Sequence, residues 1–169
     1  LADTLASNYA QDTKGLLLEI GSNDGTFLKA MQERGFDVLG IDPAKDIAKK
    51  ASENPIPTLA QFFNAELARE IAQDYGPVDI IVSSNTIANL DNMDDLMKGV
   101  KEIAHDNTVF IIETQYGLDV LEKTLLDVVY HEHLSYFTLK PIAAFFARYG
   151  FKVINAEKIS PKGGSIRIS

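Results

Sequence analysis

Short apolar runs alternate with amphipathic segments along most of this chain. Each apolar run is compact and ends near glycine, proline or a polar residue, which is the pattern of a buried parallel strand. The segments between the runs carry apolar residues at helical spacing, which predicts helices. The predicted strands are 15–21, 36–43, 55–63, 77–85 and 107–115, and the predicted helices are 24–35, 44–54, 64–76 and 91–105.

The last third of the chain departs from this alternation. A short helix near 117–125 and a longer one within 139–150 precede two predicted strands, 151–160 and 163–169. Only the turn SPKGG separates these strands, and parallel neighbours need a much longer crossover, so the pair is predicted to be antiparallel. An α/β three-layer sandwich, with a mostly parallel seven-stranded sheet and an antiparallel last strand, is the Rossmann-like plan of class I methyltransferases.

Composition narrows the possible functions. The 169 residues suit a single domain. The 24 acidic and 16 basic residues give a net charge of −8, which argues against a nucleic-acid partner. The absence of cysteine excludes disulfides and thiolate metal sites. No apolar run is long enough for a membrane span and no signal peptide is visible, so a cytoplasmic protein without a membrane partner is expected. The sequence does not determine the oligomeric state.

The first strand runs into a glycine-containing loop at 19–25. A dinucleotide fingerprint starting at Gly21 would need glycine at Asn23 and Thr26, so that match fails. The methyltransferase pattern E/D-x-G-x-G-x-G fits at three positions, and only its middle glycine is replaced, by Asn23. Asparagine tolerates positive φ, so the turn can form. The loop therefore indicates S-adenosylmethionine as cofactor, with the following candidate contacts: Glu19, Gly21, Ser22, Asn23 and Asp24.

The ends of the second and third strands supply further candidates for cofactor binding. Asp42 stands where a ribose-binding carboxylate is expected, although capping of the helix after Pro43 is the alternative. Gln61 and Phe62 follow the third strand and are predicted to meet the adenine. The alternatives are simple exposure for Gln61 and core packing for Phe62.

The fourth strand ends at 84–86, at the predicted mouth of the methyl-transfer site. Asn85 is a candidate cofactor contact there, and capping of the next segment is the alternative role for Ser84, Asn85 and Thr86. Parallel strands present their carboxyl ends at one edge of the sheet, which is where ligands bind in such folds.

The stretch YHEHLSYF at 130–137 contains two of the three histidines in the chain. His131 and His133 could form half of a metal site, but further ligands are missing and His105 lies at the other end of the sheet, so no metal is predicted. A polar loop that packs its aromatic residues is a second possibility. The third is a proton-transfer group, because histidine titrates near neutral pH and a neighbouring carboxylate can orient it.

Several segments together resemble the sugar C-methyltransferases of deoxysugar biosynthesis. The matching segments are EIGSNDGTFLKAM, GIDPA, FF-AELA at 62–68, DVVYHEHLSYFTL and GGSIR, and the resemblance extends from about residue 14 to the end. It implies methylation of carbon 3 of a nucleotide-linked 4-keto-deoxyhexose. It also implies that His133 is the general base, while Tyr130 and Glu132 hold the keto sugar, its enolate or the base.

This chain departs from that family at two points, which affect the residue roles and the substrate that the resemblance implies. Asn89 replaces a histidine that family members often have, and its amide can donate a hydrogen bond to an enolate oxygen but cannot shuttle a proton. Family members also have an N-terminal zinc-binding domain and a C-terminal domain, so residues 1–169 are expected to be a single cofactor-binding core. The alternatives are a small-molecule O- or N-methyltransferase, or a core that is inactive without its neighbours.

Overall fold

The computed structural model describes residues 1–9 and 15–169. Its strands are β1 Leu16–Ile20, β2 Asp37–Ile41, β3 Thr58–Leu59, β4 Val78–Ser84, β5 Ala104–Gln115, β6 Ala156–Ile159 and β7 Ser165–Ile168. Its α-helices are α1 Ala2–Tyr9, α2 Thr26–Gln32, α3 Lys45–Glu53, α4 Ala65–Tyr75, α5 Met93–Ile103, α6 Gly117–Glu122 and α7 Leu139–Ala147. Three 3₁₀ turns, at Ile87–Asn89, Leu126–Val128 and Pro161–Gly163, complete the described elements.

The strands form one sheet in the order β3-β2-β1-β4-β5-β7-β6. The first five strands pair in parallel, while β7 is antiparallel to both β5 and β6. This confirms the predicted α/β class I methyltransferase plan with its antiparallel last strand. From β1 the sheet grows in one direction through β2 to β3, and the chain then returns to add β4 on the other side of β1. The switch point therefore lies between β1 and β4, and such sheets bind ligands there, at the carboxyl ends of the strands.

Apolar side chains cover both faces of the sheet. Leu17 belongs to a buried cluster with Met31 of α2, while the next residue, Leu18, belongs to a second cluster with Met97 of α5. Alternate residues of a strand point to opposite faces, so a strand that reads as continuously apolar fills two cores. The result is the predicted three-layer arrangement.

The border between α5 and β5 differs from the predicted one. The helix ends at Ile103 and the strand begins at Ala104, not at 107. The pairing with β4 shifts register between Val78 and the residues that follow. Thr108 holds this irregular stretch, because its hydroxyl accepts from the N–H of His105 at 2.8 Å and donates to the Val78 carbonyl at 2.6 Å.

Two strands have less than half of their predicted length, and one helix was not predicted. The third strand has only two residues, and the sixth begins at 156 instead of 151. The helix α1 has no predicted counterpart, and its Leu5 is buried in the cluster that contains Leu17. Within the described residues, no helix is both long and apolar enough to cross a membrane.

Candidate active site

The chain between β1 and α2 turns back over the end of the sheet. The N–H groups of Gly21 and Ser22 both donate to the carbonyl of Ile41, at 2.8 and 3.0 Å. Gly21 has φ +78°, and Asn23 has φ +51°. Few residues with a side chain adopt this left-handed conformation, and asparagine is one of them. The turn predicted from the sequence is therefore formed, with asparagine in place of its middle glycine.

Gly21 lies against the segment that follows β4. A Cβ atom at this position would overlap the side chain of Thr86, starting with its Oγ1. Glycine is thus required here by a neighbouring part of the chain as well as by its positive φ. The sequence placed Thr86 at the mouth of the methyl-transfer site but did not predict its contact with Gly21, because a threonine side chain is not specific for such a contact.

Asp42 contacts two segments at once. Its Oδ2 accepts a hydrogen bond from the N–H of Asn23 at 3.0 Å, and its Oδ1 accepts one from the N–H of Ala44 at 2.9 Å. The second bond shapes the turn before α3, whose N-cap residue is Ala44 and has no side-chain capping bond, so Asp42 does not cap this helix. The first bond holds the glycine-containing loop. Each carboxylate oxygen has a further lone pair, so these bonds leave capacity for a ligand.

Three carboxyl groups converge at the ends of β1 and β2. Glu19 is 4% exposed, and burial raises its pKa well above the usual value, with the charges of Asp24 and Asp42 adding to the effect. Asp24 accepts hydrogen bonds from the N–H and hydroxyl of Thr26, at 3.1 and 2.8 Å. Those bonds lower the pKa of Asp24. Neighbouring carboxyls are therefore pushed in opposite directions, which is common at functional sites.

A cavity of about 770 Å³ opens at this edge of the sheet. It is large enough for a drug-sized ligand or cofactor. All nine predicted cofactor contacts line this cavity. So does Asn89, which was predicted to donate a hydrogen bond to the enolate of the substrate. The nine are Glu19, Gly21, Ser22, Asn23, Asp24, Asp42, Gln61, Phe62 and Asn85.

Phe62 stands at the rim of the cavity with 74% of its surface exposed. The core-packing alternative for this residue is therefore wrong. An aromatic ring left in solvent beside a cavity offers a flat apolar surface for stacking a planar group. Gln61 is also exposed and lines the same cavity, which agrees with either role considered for it.

The segment after β4 forms the opposite wall. Asn85 has φ +56° and donates its N–H to the carbonyl of Glu113 at 2.7 Å, which ties the segment to β5. A 3₁₀ turn, Ile87–Asn89, follows and leaves Asn89 exposed at the cavity.

The 130–137 loop is attached to this same wall. The N–H groups of Leu134 and Ser135 donate to the carbonyl of Ala88, at 2.8 and 3.1 Å. Phe137 pairs with Tyr116 just beyond β5. The loop therefore lies over the carboxyl ends of β4 and β5, next to the residue that precedes Asn89 in the chain.

His133 is the buried histidine of the loop, with 9% of its surface exposed. Its Nδ1 lies 3.0 Å from the carbonyl oxygen of Val128. A carbonyl can only accept, so Nδ1 carries the proton and Nε2 of the neutral ring is left as the basic nitrogen. The Tyr130 ring lies 4.2 Å from the imidazole, and the Tyr136 hydroxyl donates to the same Val128 carbonyl at 3.1 Å.

Other predicted residues of the loop are not gathered around the imidazole. His131 and Glu132 are exposed, and the group that contacts His133 Nδ1 is the Val128 carbonyl. Within the described residues, His133, Glu132 and Tyr130 do not line the 770 Å³ cavity. No group of three or more histidine, aspartate or glutamate side chains in the described ranges could hold a metal ion.

A buried carboxylate anchors the chain just before this loop. Asp119 of α6 accepts hydrogen bonds from Lys123 at 2.8 Å and from Lys158 of β6 at 2.6 Å. These bonds lower the pKa of Asp119. The helix that leads into the loop is thereby joined to the antiparallel edge of the sheet.

Known proteins match both the sequence and the fold. The family model described as a methyltransferase domain matches residues 1–156. C-methyltransferase NovU of Streptomyces niveus is 30% identical over 166 residues, which are 98% of this chain and 40% of the relative. An uncharacterized methyltransferase of Alkaliphilus oremlandii is 28% identical over 131 residues, which are 72% of this chain and 58% of the relative. The chain thus spans 40% and 58% of the lengths of these curated relatives.

Solved structures share the fold at low sequence identity. The PH0226 protein of Pyrococcus horikoshii superposes with a TM-score of 0.75 at 16% identity, covering 98% of this chain and 84% of that one. Magnesium protoporphyrin IX methyltransferase of Synechocystis, solved with bound SAH, gives a TM-score of 0.69 at 15% identity, covering 99% and 80%. The solved structures show the fold, and the family model together with the 30% identical relative shows that the chain belongs to the methyltransferase domain family.

Proposed function

We propose that this domain transfers a methyl group from S-adenosylmethionine to a carbon atom next to a ketone. The substrate class that we propose is a nucleotide-linked 4-keto-deoxysugar, methylated through an enolate. The similarity to a protein named as a C-methyltransferase supports the choice of carbon as acceptor. The nucleotide sugar rests on the family resemblance of the YHEHLSYF and GGSIR segments.

The residues around the cavity fit the proposed cofactor. The buried Oε2 of Glu19 has no hydrogen-bond partner among the described residues, so a donor such as the ammonium of the methionine portion would satisfy it. Asp42 has free lone pairs for ribose hydroxyls, and Phe62 offers its exposed ring to the adenine. Gly21 keeps the backbone open where a side chain would fill the space.

The observation that carries the choice of reaction is the hydrogen bond between His133 Nδ1 and the Val128 carbonyl. It leaves Nε2 as a base, on a loop bonded to Ala88, which precedes the cavity-lining Asn89 in the chain. A saturated carbon beside a ketone becomes a nucleophile when it loses a proton to form the enolate, and that step requires such a base.

The proposed steps use four side chains. S-adenosylmethionine supplies an electrophilic methyl group on a positively charged sulfur. Nε2 of His133 takes the proton from the carbon beside the ketone, and the electron pair of the broken C–H bond moves to the ketone oxygen. Asn89 and Tyr130 donate hydrogen bonds to that developing oxyanion, which lowers the barrier. The enolate carbon would then form the new C–C bond with the methyl group while the S–CH₃ bond breaks, and its electron pair would stay on the sulfur of the departing S-adenosylhomocysteine. Glu132, which is exposed on the same loop, would hold the keto sugar.

The nucleotide portion of the proposed substrate needs groups outside this cavity. Among the described residues that line it there is no lysine, arginine or histidine to meet a diphosphate. We therefore propose that residues 1–169 form one catalytic core, and that parts of the full-length protein beyond this cavity hold the nucleotide.

The test is product analysis with the full-length protein on a panel of nucleotide-linked keto sugars. The expected product carries the new methyl group on the carbon next to the ketone, and the enzyme exchanges that carbon's hydrogen with solvent. A product methylated only on oxygen or nitrogen would instead support the O- or N-methyltransferase alternative. Titration with S-adenosylhomocysteine and with NADH checks the cofactor separately, and only the first should bind.

A further inference from the structure

Glu19 is the buried acid of the cofactor cavity. Its side chain is 4% exposed, it lines the cavity, and its Oε2 accepts no hydrogen bond within the described residues. A charged carboxylate in such a place would lack both water and a donor, which is costly. A neutral carboxylic acid does not carry that penalty.

The groups that face Glu19 make the charged form still less favourable. From the loop after β1 comes Asp24, and from the end of β2 comes Asp42. Both already accept hydrogen bonds from protein donors, and those from Thr26 lower the pKa of Asp24. Among the described lining residues no cationic side chain balances these charges. Burial and the two neighbouring charges accordingly raise the pKa of Glu19.

We propose that Glu19 selects ligands that carry a protonated amine by exchanging a proton for that amine. The empty cavity holds Glu19 as a carboxylic acid. When an ammonium group binds, the O–H bond of the acid breaks, its proton leaves to solvent, and the carboxylate accepts an N–H hydrogen bond from the ligand. The inference rests on the proposed function, because the amine is that of the methionine portion of the cofactor.

Calorimetry with S-adenosylhomocysteine in two buffers of different ionisation enthalpy measures the proton count directly. The wild-type protein should release a proton on binding at any pH where the empty cavity holds Glu19 as the neutral acid, and affinity should rise with pH by up to about tenfold per unit over that range. Methylthioadenosine, which lacks the amine, should bind with no release. Binding of S-adenosylhomocysteine with no proton release would overturn this inference and leave the proposed function standing. No binding at all would overturn both.

The variant Glu19→Gln keeps the shape of the neutral acid and cannot become charged. It should remain folded, bind S-adenosylhomocysteine about 10- to 100-fold more weakly, and release no proton. Its affinity for methylthioadenosine should stay unchanged. The matched control is Asp46→Asn, which should retain both the affinity and the proton release, because Asp46 is exposed and lies outside the cavity lining. Undiminished selectivity for the amine in Glu19→Gln would contradict the proposal.

Discussion

The carboxylate of Asp42 joins the end of β2 to the loop after β1, because its Oδ2 accepts the N–H of Asn23 at 3.0 Å. Asn23 can take part because its left-handed conformation turns the backbone at this point. One side chain therefore shapes the loop and lines the proposed ribose site. Replacing Asp42 by alanine tests both roles.

Asp42→Ala should weaken binding of S-adenosylhomocysteine by about 1.5–3 kcal/mol, the usual worth of a hydrogen bond to a charged group. The loop loses its tether in the same variant. Titration calorimetry measures the effect. Asp46→Ala, in the first turn of α3, removes an exposed aspartate close by and should leave affinity unchanged. Equal affinities in the two variants would contradict the assignment of Asp42.

Gly21→Ala should lower the free energy of unfolding by more than the cost of its positive φ alone, which is about 1–2 kcal/mol. The added Cβ also overlaps Thr86. Gly35→Ala is the matched control, because Gly35 has φ +87° and open space around its Cβ position. Denaturant unfolding of both variants separates the two costs. A Gly21→Ala variant no less stable than Gly35→Ala would show that the Thr86 contact is unimportant.

His133→Asn in the full-length protein should lower turnover by about two to four powers of ten, the usual contribution of a positioned base. Hydrogen exchange at the carbon next to the ketone should stop, while affinity for S-adenosylhomocysteine stays nearly unchanged. Exchange reports enolate formation without methyl transfer. Retained exchange in the folded variant would remove His133 from the role of base.

Neighbouring variants distinguish this role from its alternatives. His131→Asn should be milder because His131 is exposed, and Glu132→Gln should fall between the two. A metal site would impair both histidine variants equally and would make activity sensitive to a chelator. A purely structural loop would lower the melting temperature in every variant, with exchange following only the folded fraction.

Glu19 should also make the stability of the empty protein depend on pH. Its pKa is raised on folding, so between about pH 4.5 and that raised value the unfolded chain gives up a proton that the folded chain keeps. Stability should therefore fall as pH rises through this range. Melting curves of wild type and Glu19→Gln at several pH values measure the difference. A fall of the same size in the variant would assign the effect to other groups.

The domain alone should bind nucleotide sugars weakly. The described lining of its cavity offers no cationic side chain to a diphosphate, and the chain as a whole has a net charge of −8. Calorimetry with a nucleotide-linked sugar, in the presence of S-adenosylhomocysteine, provides the measurement. Micromolar or tighter binding would mean that the nucleotide pocket lies within residues 1–169.

Features that depend on local chemistry were predictable from the sequence. Continuous apolar runs gave the buried strands, and the short turn at 160–164 gave the antiparallel edge. Asn23 was expected to replace a glycine at positive φ, and it does. The candidate cofactor contacts meet at one cavity because the carboxyl ends of parallel strands share one edge of the sheet.

Contacts between distant segments were not predictable. The contact between Thr86 and Gly21 could not be predicted from the residue type of Thr86. The hydrogen-bond partner of His133 is the backbone carbonyl of Val128. Every residue has such a carbonyl, so the side-chain type at position 128 could not predict this contact. Phe62 could not be assigned to core or surface because its strand is only two residues long and the loop after it has no periodicity.

The three carboxyl groups at the ends of β1 and β2 also bear on how turnover ends. Methyl transfer removes the positive charge from the sulfur of the proposed cofactor, while Asp24 and Asp42 keep their negative charges. The spent cofactor is therefore attracted less strongly than the fresh one. The negative charge of the cavity therefore favours replacement of the spent cofactor by the fresh one. Inhibition by the spent cofactor should be weakest at low ionic strength, where charges are least screened.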